Sequence, residues 1–496
     1  MRVLFVYPEF PDTFWSFRHA LRFVSKGATY PPLGLITVAA MLPHEWEKRL
    51  VDMNVAPLTD RDLAWADYVF LGAMTVQQAS ARQVIARCNA AGVPIVAGGP
   101  LFTEEPAKFA TVDYLVLNEA EITLPQFLRD LAAGRPQRLY RTSEFPSLHE
   151  TPPPLWELLD LRRYADMCIQ YSRGCPFSCE FCNITALYGH RPRTKRAAQV
   201  IAELDTLHGL GWRGSVFFVD DNLIGNKRHF KEEVLPALLA WKARQKGFTF
   251  QTEVSINLAD DQELTAMMVA AGFDMVFVGI ETPDEEALAE CHKVQNEGRD
   301  LAESVRRLQR AGLQVQGGFI VGFDADTPAI FQRQIDLIQQ SGIVVAMVGI
   351  LQAPHGSALY ERMQREGRLL RDPTGDNTEG AINFQPRMDP GVLVAGYRRI
   401  VREIYAPAAY YARVRAFLNE LGPAASAEPV RRPLTLPEVV AFLRSVYLIG
   451  IRGVERRQYW SLVLTTLVRR PRLFPLAIRF AIYGHHCRRH AQQLAS

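Results

Sequence analysis

Three cysteines within eight residues are the strongest chemical signal in the sequence. Cys175, Cys179 and Cys182 form a C-x3-C-x2-C motif that follows a predicted strand. Three thiolates can bind three irons of a 4Fe–4S cubane and leave the fourth iron open to another ligand. Because a fourth cysteine would close the cluster and make it an electron carrier, this spacing predicts an iron–sulfur site that carries out chemistry.

A zinc knuckle is the alternative for the same cysteines. Structural zinc usually takes four ligands, and His190 lies near enough along the chain to be the fourth. The spacing, and the position after the first strand of a repeating strand–helix pattern, favour the cluster. The chain has seven cysteines, and this odd number argues for a reducing compartment and against a disulfide framework.

Composition limits the class of protein. A net charge of +3 over 496 residues is too small to indicate a nucleic-acid partner. No secretory signal and no run of about 18 apolar residues is visible, which predicts a cytoplasmic location. Residues 451–496 contain nine arginines and one acidic residue, so this tail is locally basic.

Alternating strands and helices predict an α/β protein with three domains. Residues 1–135 hold five strand candidates separated by helices, which indicates a doubly wound parallel sheet. Residues 136–164 are rich in proline and polar residues and are typical of a linker. Residues 165–385 contain six strand–helix units, which predict a partial (β/α)6 barrel with its active site at the carboxyl ends of the strands. Residues 386–496 are predicted to be helical.

The cysteine motif, followed by polar and glycine-rich strand ends in a fixed order, resembles the radical S-adenosylmethionine (SAM) superfamily. In that superfamily the open iron binds the methionine part of SAM, and reduction releases a 5′-deoxyadenosyl radical. The same strand-end residues also have ordinary structural uses, such as capping a helix. The resemblance implies SAM contacts at Asp221, Glu253, Ser255, Gly279, Glu281, Gly318 and Gly322.

The doubly wound domain resembles the cobalamin-binding domains that precede some radical SAM barrels. Such domains carry a D-x-H-x-x-G motif whose histidine ligates cobalt from below. Here Asp52 is retained, but Asn54 and Pro57 replace the histidine and the glycine, so this loop is not expected to ligate cobalt. The alternative is a purely structural domain. The resemblance implies cobalamin contacts at Asp52, Asn54, Met74, Gly98, Gly99 and Glu119.

This domain combination implies a C-methyltransferase. In cobalamin-dependent members, methylcobalamin delivers a methyl group to a carbon radical, and a second SAM restores the methyl group on cobalt. A reductase, flavodoxin or ferredoxin is the implied electron donor. Two alternatives stay open: a radical SAM cyclase or oxidoreductase without methyl transfer, and a non-catalytic sensor of cobalamin or SAM.

The opening segments, Tyr7–Trp15 and Pro31–Leu35, resemble a subfamily with a helical C-terminal domain that includes the bacterial hopanoid 2-methylases. The resemblance implies a small hydrophobic substrate such as a hopanoid lipid. The stretch Tyr459–Tyr483 mixes apolar residues with arginines. Such basic amphipathic helices lie on anionic membranes, which predicts peripheral contact with the inner membrane face; packing on the barrel is the alternative.

Overall fold

The computed structural model describes residues 1–422 and 436–495 of the chain. Two parallel six-stranded sheets and a group of C-terminal helices form the protein, so the predicted fold class is confirmed. The connector predicted over 423–433 lies outside the described residues. Within those residues, no helix is both long and apolar enough to cross a membrane.

The N-terminal sheet is entirely parallel, with strand order β2-β1-β3-β4-β5-β6. Its strands are β1 (Arg2–Tyr7), β2 (Glu47–Asp52), β3 (Tyr68–Gly72), β4 (Ile95–Gly98), β5 (Tyr114–Val116) and β6 (Leu139–Tyr140). Its helices are α1 (Arg18–Val24), α2 (Leu33–Met41), α3 (Asp60–Trp65), α4 (Gln78–Ala91), α5 (Pro100–Glu104) and α6 (Ala120–Ala132). Strand order reverses at β1, and ligands of such sheets bind at the carboxyl ends near the reversal.

The sixth strand of this sheet was not predicted. It lies in the stretch assigned to the linker, beyond the predicted domain bound at residue 135, and pairs with β5 through Leu139 and Tyr140. A two-residue strand is too short to produce a hydrophobic period. The position of β6 is therefore determined by its backbone pairing with β5 and not by a pattern in its own residues.

The second sheet is also parallel, with strand order β14-β13-β12-β11-β10-β7. Its strands are β7 (Met167–Ile169), β10 (Ser215–Phe218), β11 (Thr249–Val254), β12 (Phe273–Glu281), β13 (Gln314–Val321) and β14 (Ala346–Ile350), and a ribbon of β8 (Ser172–Arg173) and β9 (Arg193–Thr194) follows β7. Around it lie α7 (Ile184–Tyr188), α8 (Ala197–Gly209), α9 (Lys227–His229), α10 (Leu235–Arg244), α11 (Gln262–Ala271), α12 (Glu285–Glu290), α13 (Leu301–Ala311), α14 (Ile330–Ser341) and α15 (Ala358–Arg365). Since β7 and β14 are the two edges of this described sheet, the barrel is open on one side.

The C-terminal helices pack against that open side. They are α16 (Pro390–Ile404), α17 (Pro407–Glu420), α18 (Leu436–Ser445), α19 (Arg456–Arg469) and α20 (Phe474–Ala495), with a π-helical turn Val446–Ile451 after α18. Helix α16 packs on β14, where Tyr405 donates a hydrogen bond to the Ala346 carbonyl (2.7 Å). Helix α20 packs on α16 and α1, and His486 Nε2 lies 2.9 Å from the Phe14 carbonyl oxygen.

The amphipathic stretch Tyr459–Tyr483 spans two helices. It contains most of α19 and the first half of α20. Many of its apolar residues are core residues of the C-terminal helices, among them Tyr459, Leu462, Val463, Leu473, Ile478, Phe480 and Ile482. The apolar residues that remain exposed lie on α19.

Candidate active site

The three cysteines lie on the loop between β8 and α7. Gly174 opens this loop with φ of +95°, and a Cβ atom there would meet the Gly189 carbonyl oxygen at 2.8 Å. Glycine is therefore required at the entrance to the loop. The Cys175 amide donates to that same carbonyl (3.2 Å), and the Cys182 amide donates to the carbonyl of Cys179 (3.0 Å). All three thiols are free and half-buried.

The number of thiolates on the loop favours a cubane over zinc. Structural zinc usually takes four ligands, and the loop supplies three thiolates, whereas a cubane can take three thiolates and keep one iron open. Burial, with Cys179 and then Asp221 adding to it, raises the pKa of Cys182 to about 12. In the described chain, the side chains close enough together for a single metal ion are a different group, Glu105, His355 and Asp372.

An ion-pair network behind the loop fixes its position. Glu180 follows the second cysteine and accepts two hydrogen bonds from Arg362 of α15 (2.6 and 2.8 Å). Arg362 also donates to Asp324 (2.9 Å) and Glu290 (3.2 Å). Bidentate arginine–carboxylate pairs fix geometry as well as charge. The loop is thus held by groups that lie more than a hundred residues away in sequence.

A buried lysine beside the cysteines was missed by the sequence analysis. Lys293 Nζ pairs with Glu281 Oε1 at 2.6 Å, and Gln295 Nε2 lies 3.8 Å from Cys179 Sγ. Burial alone would lower the pKa of Lys293, but Glu281 and the nearby thiols raise it above its ordinary value. A cation and a donor at this distance offset the negative charge of cluster thiolates. Both residues lie in an irregular loop after α12, where no motif signals them.

The carboxylates predicted for SAM differ in their surroundings. The Glu281 carboxylate is ion-paired with Lys293, and the Glu281 backbone is left-handed (φ 63°). Among residues 1–422 and 436–495, neither Asp221 nor Glu253 forms an ion pair, and the Asp221 carboxylate accepts a hydrogen bond from its own backbone amide. Burial, and then Asp220, raise the pKa of Asp221 to about 7, and burial, and then Asp221, raise the pKa of Glu253 to about 8. Two enclosed carboxylates without a cationic partner suit a cationic ligand.

Glu253 makes the stability of the cofactor-free protein depend on pH. Its carboxyl loses its proton near pH 4.5 in the unfolded chain but keeps it to about pH 8 in the folded chain. The folded state therefore holds the extra proton, and the free energy of unfolding should fall as pH rises from about 5 to 8. Glu253→Gln should reduce the slope of the profile measured by chemical denaturation, leaving the part that Asp221 and Asp166 contribute, whereas Glu263→Gln, at an exposed site, should leave it unchanged. A wild-type profile that is flat over this range would contradict the assignment.

The other predicted SAM residues lie at neighbouring strand ends. Ser255 N–H donates to Asn222 Oδ1 (3.2 Å), which ties the end of β11 to the turn after β10. A Cβ atom at Gly279 would meet Glu281 and Lys293, and one at Gly318 would meet the Phe277 ring at 2.9 Å. Gly322 has φ of +109°, and its amide donates to Asp326 (2.7 Å). The structure brings these residues to the same end of the barrel; their contacts with SAM remain predictions.

The residues at the position of the cobalt-binding motif are hydrogen-bonded to one another and to their protein neighbours. Asp52 accepts hydrogen bonds from the Asn54 backbone amide (2.9 Å), from Asn54 Nδ2 (2.7 Å) and from Tyr164 (3.0 Å). Asn54 Oδ1 accepts from the Phe10 amide (2.9 Å). Because an amide nitrogen that donates hydrogen bonds has no free lone pair, the side-chain nitrogen of Asn54 is not a cobalt ligand.

The ends of β3 and β4 form a surface without large buried side chains. A Cβ atom at Gly98 would meet the Val116 carbonyl oxygen at 2.6 Å, and Gly99, with φ of +94°, lies against the Ala73 carbonyl. Both glycines are therefore required by close backbone approach. Met74 beside them is 45% exposed. The strand ends therefore present backbone and the exposed Met74 side chain to a ligand.

The carboxyl ends of the two sheets face each other. Asn183, the residue after the third cysteine, donates to Glu104 (2.6 Å), which also accepts from Thr75 (2.8 Å). A Cβ atom at Gly375, from the segment after the barrel, would meet the Val76 amide nitrogen at 2.6 Å. The cysteine loop therefore lies close to the strand ends where a ligand of the N-terminal sheet is expected.

Glu119 has an observed role that was not predicted. It is almost fully buried and forms ion pairs with Arg173 (2.7 Å) and Arg193 (2.7 Å), while Arg173 also pairs with Glu121 (2.9 Å). Arg173 directly precedes the glycine that opens the cysteine loop. These pairs fasten the N-terminal sheet to the ribbon β8–β9. The predicted contact of Glu119 with cobalamin remains a prediction beside this role.

Three family models match the chain in order. The B12 binding domain matches residues 21–128, and the Radical SAM superfamily matches residues 169–338. A domain of unknown function (DUF4070) matches residues 357–496. The matches place a cobalamin-binding fold on the N-terminal sheet and a radical SAM fold on the barrel.

Two relatives extend over nearly the whole chain. A methyltransferase of Synechocystis sp. described as uncharacterized is 41% identical over 494 residues, covering 98% of this chain and 91% of its own length. The hopanoid C-2 methylase of Rhodopseudomonas palustris is 36% identical over 485 residues, covering 94% of this chain and 90% of its own length. The chain belongs to the cobalamin-dependent radical SAM methyltransferase family. It is a radical SAM enzyme, and its cofactors are a 4Fe–4S cluster, SAM and cobalamin.

Solved structures of two cobalamin-dependent radical SAM enzymes share the fold. OxsB with aqua-cobalamin and SAM bound superposes with a TM-score of 0.62 at 14% identity, covering 99% of this chain and 80% of that chain. TsrM from Kitasatospora setae, with cobalamin and its cluster bound, gives 0.59 at 15% identity and covers all of both chains. These likenesses support the arrangement of a cobalamin-binding sheet ahead of a radical SAM barrel.

The residues of this radical SAM methyltransferase fit its cofactors. The three free thiols of the loop suit the cluster, and Asp221 and Glu253, which form no ion pair within the described residues, suit the cationic SAM. The glycine-lined ends of β3 and β4 are open to a large cofactor, although the loop at Asn54 offers no ligand for the lower face of cobalt. Cobalamin binding in this enzyme therefore does not depend on a nitrogen from the usual motif position.

Proposed function

We propose that the enzyme methylates an unactivated carbon of a small hydrophobic substrate, a hopanoid-type polycyclic lipid. When bound, SAM supplies the radical that removes hydrogen and cobalamin supplies the methyl group. The residues of the chain hold the substrate and exclude water. The aromatic lining of the barrel lumen carries the proposal, and the hopanoid C-2 methylase relative supports it.

Two aromatic pairs line the lumen, and each joins the opening segment to a barrel strand. Trp15 meets Phe277 of β12 edge to face, with ring centroids 5.3 Å apart. Tyr30 lies over Phe217 of β10 at 5.0 Å. Alternation along β12 directs Phe277 inward, because Val276 and Val278 are fully buried in the core under the helices. These four aromatic rings give the lumen apolar walls, which supports a hydrophobic fused-ring substrate.

The amino end of the lumen is polar. Gln251 of β11 donates to Asp166 (3.1 Å), and burial raises the pKa of Asp166 to about 6. Gln251 lies two residues before Glu253 on the same strand, on the same face. The lumen thus has apolar walls with polar groups at its far end, a pattern that suits an amphiphile with a rigid apolar body and one polar end.

Turnover with a pentacyclic hopanoid tests the proposal. Protein reconstituted anaerobically with iron, sulfide and hydroxocobalamin should convert the lipid, with SAM and a reductant, to a product heavier by one CH2. 5′-Deoxyadenosine and S-adenosylhomocysteine should form alongside it. Turnover without S-adenosylhomocysteine would instead favour a cyclase or oxidoreductase. Methylation of a tetrapyrrole but not of the hopanoid would overturn the substrate class.

Trp15→Ala should weaken substrate binding without stopping SAM cleavage. Loss of the indole removes apolar contact worth about 1.5–3 kcal/mol, so KM for the lipid should rise by about 10- to 100-fold. 5′-Deoxyadenosine formed without lipid should stay at the wild-type rate. Trp65→Ala is the matched control, because Trp65 stacks under Arg49 in the N-terminal domain, far along the chain from the barrel. An unchanged KM for Trp15→Ala would remove Trp15 from the substrate wall.

Two further parts of the proposal follow from a lipid substrate. A ferredoxin, a flavodoxin or their reductase supplies the electron to the cluster. The enzyme works in the cytoplasm at the inner membrane face, where such a lipid is reached. Purification of the native enzyme with the membrane fraction at low salt, and its release by high salt, would support this location.

A further inference from the structure

The C-terminal helices expose an unusual share of apolar side chains. Of nineteen large apolar residues that are exposed in the described chain, ten lie between residues 436 and 468. Single exposed apolar residues are ordinary, but contiguous exposed apolar patches mark interaction sites. This stretch therefore forms a candidate surface, separate from the cofactor sites.

The exposed residues follow one side of each helix. On α18 and its π turn they are spaced by four positions: Val439, Leu443, Tyr447 and Ile451. On α19 they are Trp460, Leu464, Leu467 and Val468. Trp460 Nε1 donates to the Gly450 carbonyl (2.9 Å), which joins the two rows. We call these eight residues the α18–α19 face.

The opposite sides of the same helices attach them to the protein. Ile449, Tyr459, Leu462 and Val463 are buried. Arg444 of α18 donates to the carbonyl of Arg22 in α1 (2.7 Å). The helices are thus held by one side, while Leu464 and Val468 on the other side are 58% and 82% exposed. The face is part of a fixed surface and is not formed by a frayed end.

Positive charge surrounds the face. Five exposed arginines lie along it, and acidic residues in 436–473 are restricted to Glu438 and Glu455. Glu455 is buried and paired with Arg488 and His485, so it does not reach the surface. These five are Arg452, Arg456, Arg457, Arg469 and Arg472; Arg470 is exposed as well, but its side chain donates to the Leu418 carbonyl.

We propose that the α18–α19 face docks on the surface of an anionic lipid bilayer. Apolar side chains of such a face enter the boundary between headgroups and acyl chains, and arginines bind lipid phosphates. A second copy of the chain is a poorer partner for this face. In a dimer with twofold symmetry, the arginines around the face of one copy would lie against the same arginines of the other and repel them. The inference rests on the membrane location in the proposed function and names the surface that makes the contact; vesicle binding tests it separately from the substrate, since it needs no turnover.

Docking would place the opening segment near the lipid. Helix α18 packs on α1, and the segment before α1 carries Trp15, whose ring lies on Phe277 in the lumen. The bilayer surface and the lumen wall are therefore connected through a single helix. An enzyme that takes its substrate from a membrane needs its entrance near the surface that binds the membrane.

Vesicle co-sedimentation of the full-length reconstituted holoenzyme tests the inference. The wild type should sediment with vesicles of equal parts phosphatidylglycerol and phosphatidylcholine, and should remain in the supernatant with phosphatidylcholine alone. Leu464→Glu with Leu467→Glu should weaken binding by at least about tenfold, because two apolar side chains are lost from the boundary. Arg456→Glu with Arg457→Glu should weaken it as well and reduce its salt dependence.

Val392→Glu on α16 is the matched control, because Val392 is also exposed but lies away from the face. It should bind as the wild type does. All variants should keep their iron content, which shows that the fold is intact. Failure of the wild type to bind anionic vesicles, or equal binding by the Leu464/Leu467 variant, would overturn the inference. So would a wild-type dimer in light scattering that the same variant dissociates, since the face would then contact a second copy.

Discussion

Replacing Cys179 with alanine will leave the reconstituted enzyme without a 4Fe–4S cluster. Two thiolates remain on the loop and bind two irons at most, so the cubane lacks one of the three protein ligands that hold it. Iron should fall from about four to below one per chain, and 5′-deoxyadenosine should be undetectable under reductant. Iron analysis, the visible spectrum and product analysis by mass spectrometry measure the three effects.

Cys291→Ala is the matched control for that variant. Cys291 is a buried free thiol outside the motif, and its carbonyl accepts a hydrogen bond from the Glu180 amide (2.9 Å), so it lies against the cysteine loop. The variant should retain about four irons and form 5′-deoxyadenosine. Retention of a full cluster by Cys179→Ala would show that another ligand takes its place, and His190 would then be the first residue to replace.

The second large effect is expected at the junction of the two sheets. Arg173→Met leaves Glu121 without its ion pair and Glu119 with one arginine instead of two. Breaking a buried ion pair from one side costs about 3–5 kcal/mol, because the remaining charge stays buried. We expect an equivalent fall in the free energy of the first unfolding transition, measured by anaerobic denaturation, together with reduced cluster loading.

An exposed ion pair provides the comparison for Arg173. Arg228 and Glu232 pair on the surface with 85% and 61% of their side chains exposed. Arg228→Met should therefore change stability by less than about 1 kcal/mol. If Arg173→Met is as stable as Arg228→Met, the buried network does not hold the N-terminal sheet to the cysteine loop.

Much of the architecture was predictable because its signals are local. Parallel strands buried on both faces appear as short apolar runs, such as Ala346–Ile350 of β14. The cysteine motif needs eight residues to be recognised. Sequence alone suggests a shorter strand than β12, limited to Met275–Gly279, because Asp274 and Glu281 are charged and interrupt the apolar pattern while their backbones continue the sheet.

The parts of the site that were missed depend on partners distant in sequence. Glu180 and Arg362 are 182 residues apart, and Arg173 is 54 residues from Glu119. An isolated arginine or lysine gives no sign of which carboxylate it will meet. Lys293 is the clearest case, since its loop has no regular structure and its importance follows from Glu281 and the thiols around it.

Amphipathic pattern alone did not separate α19 from α20. Both helices mix apolar residues with arginines, so both were assigned to one membrane-facing stretch. In the structure, residues of α20 such as Phe480 are buried, whereas Leu464 of α19 is exposed. A helical period shows that a face is apolar but leaves open whether that face meets the protein or a lipid.

The contact between His486 and Phe14 has a consequence for biosynthesis. These residues are 472 positions apart, yet they meet where the opening segment carries Trp15 toward the lumen. Contacts of such long range form late, because a large loop must first close. Helix α20 is translated after the entire barrel, so the opening segment cannot make this contact until synthesis has passed the barrel. The packing of the opening segment against the C-terminal helices is thus among the last contacts that a newly made chain can complete.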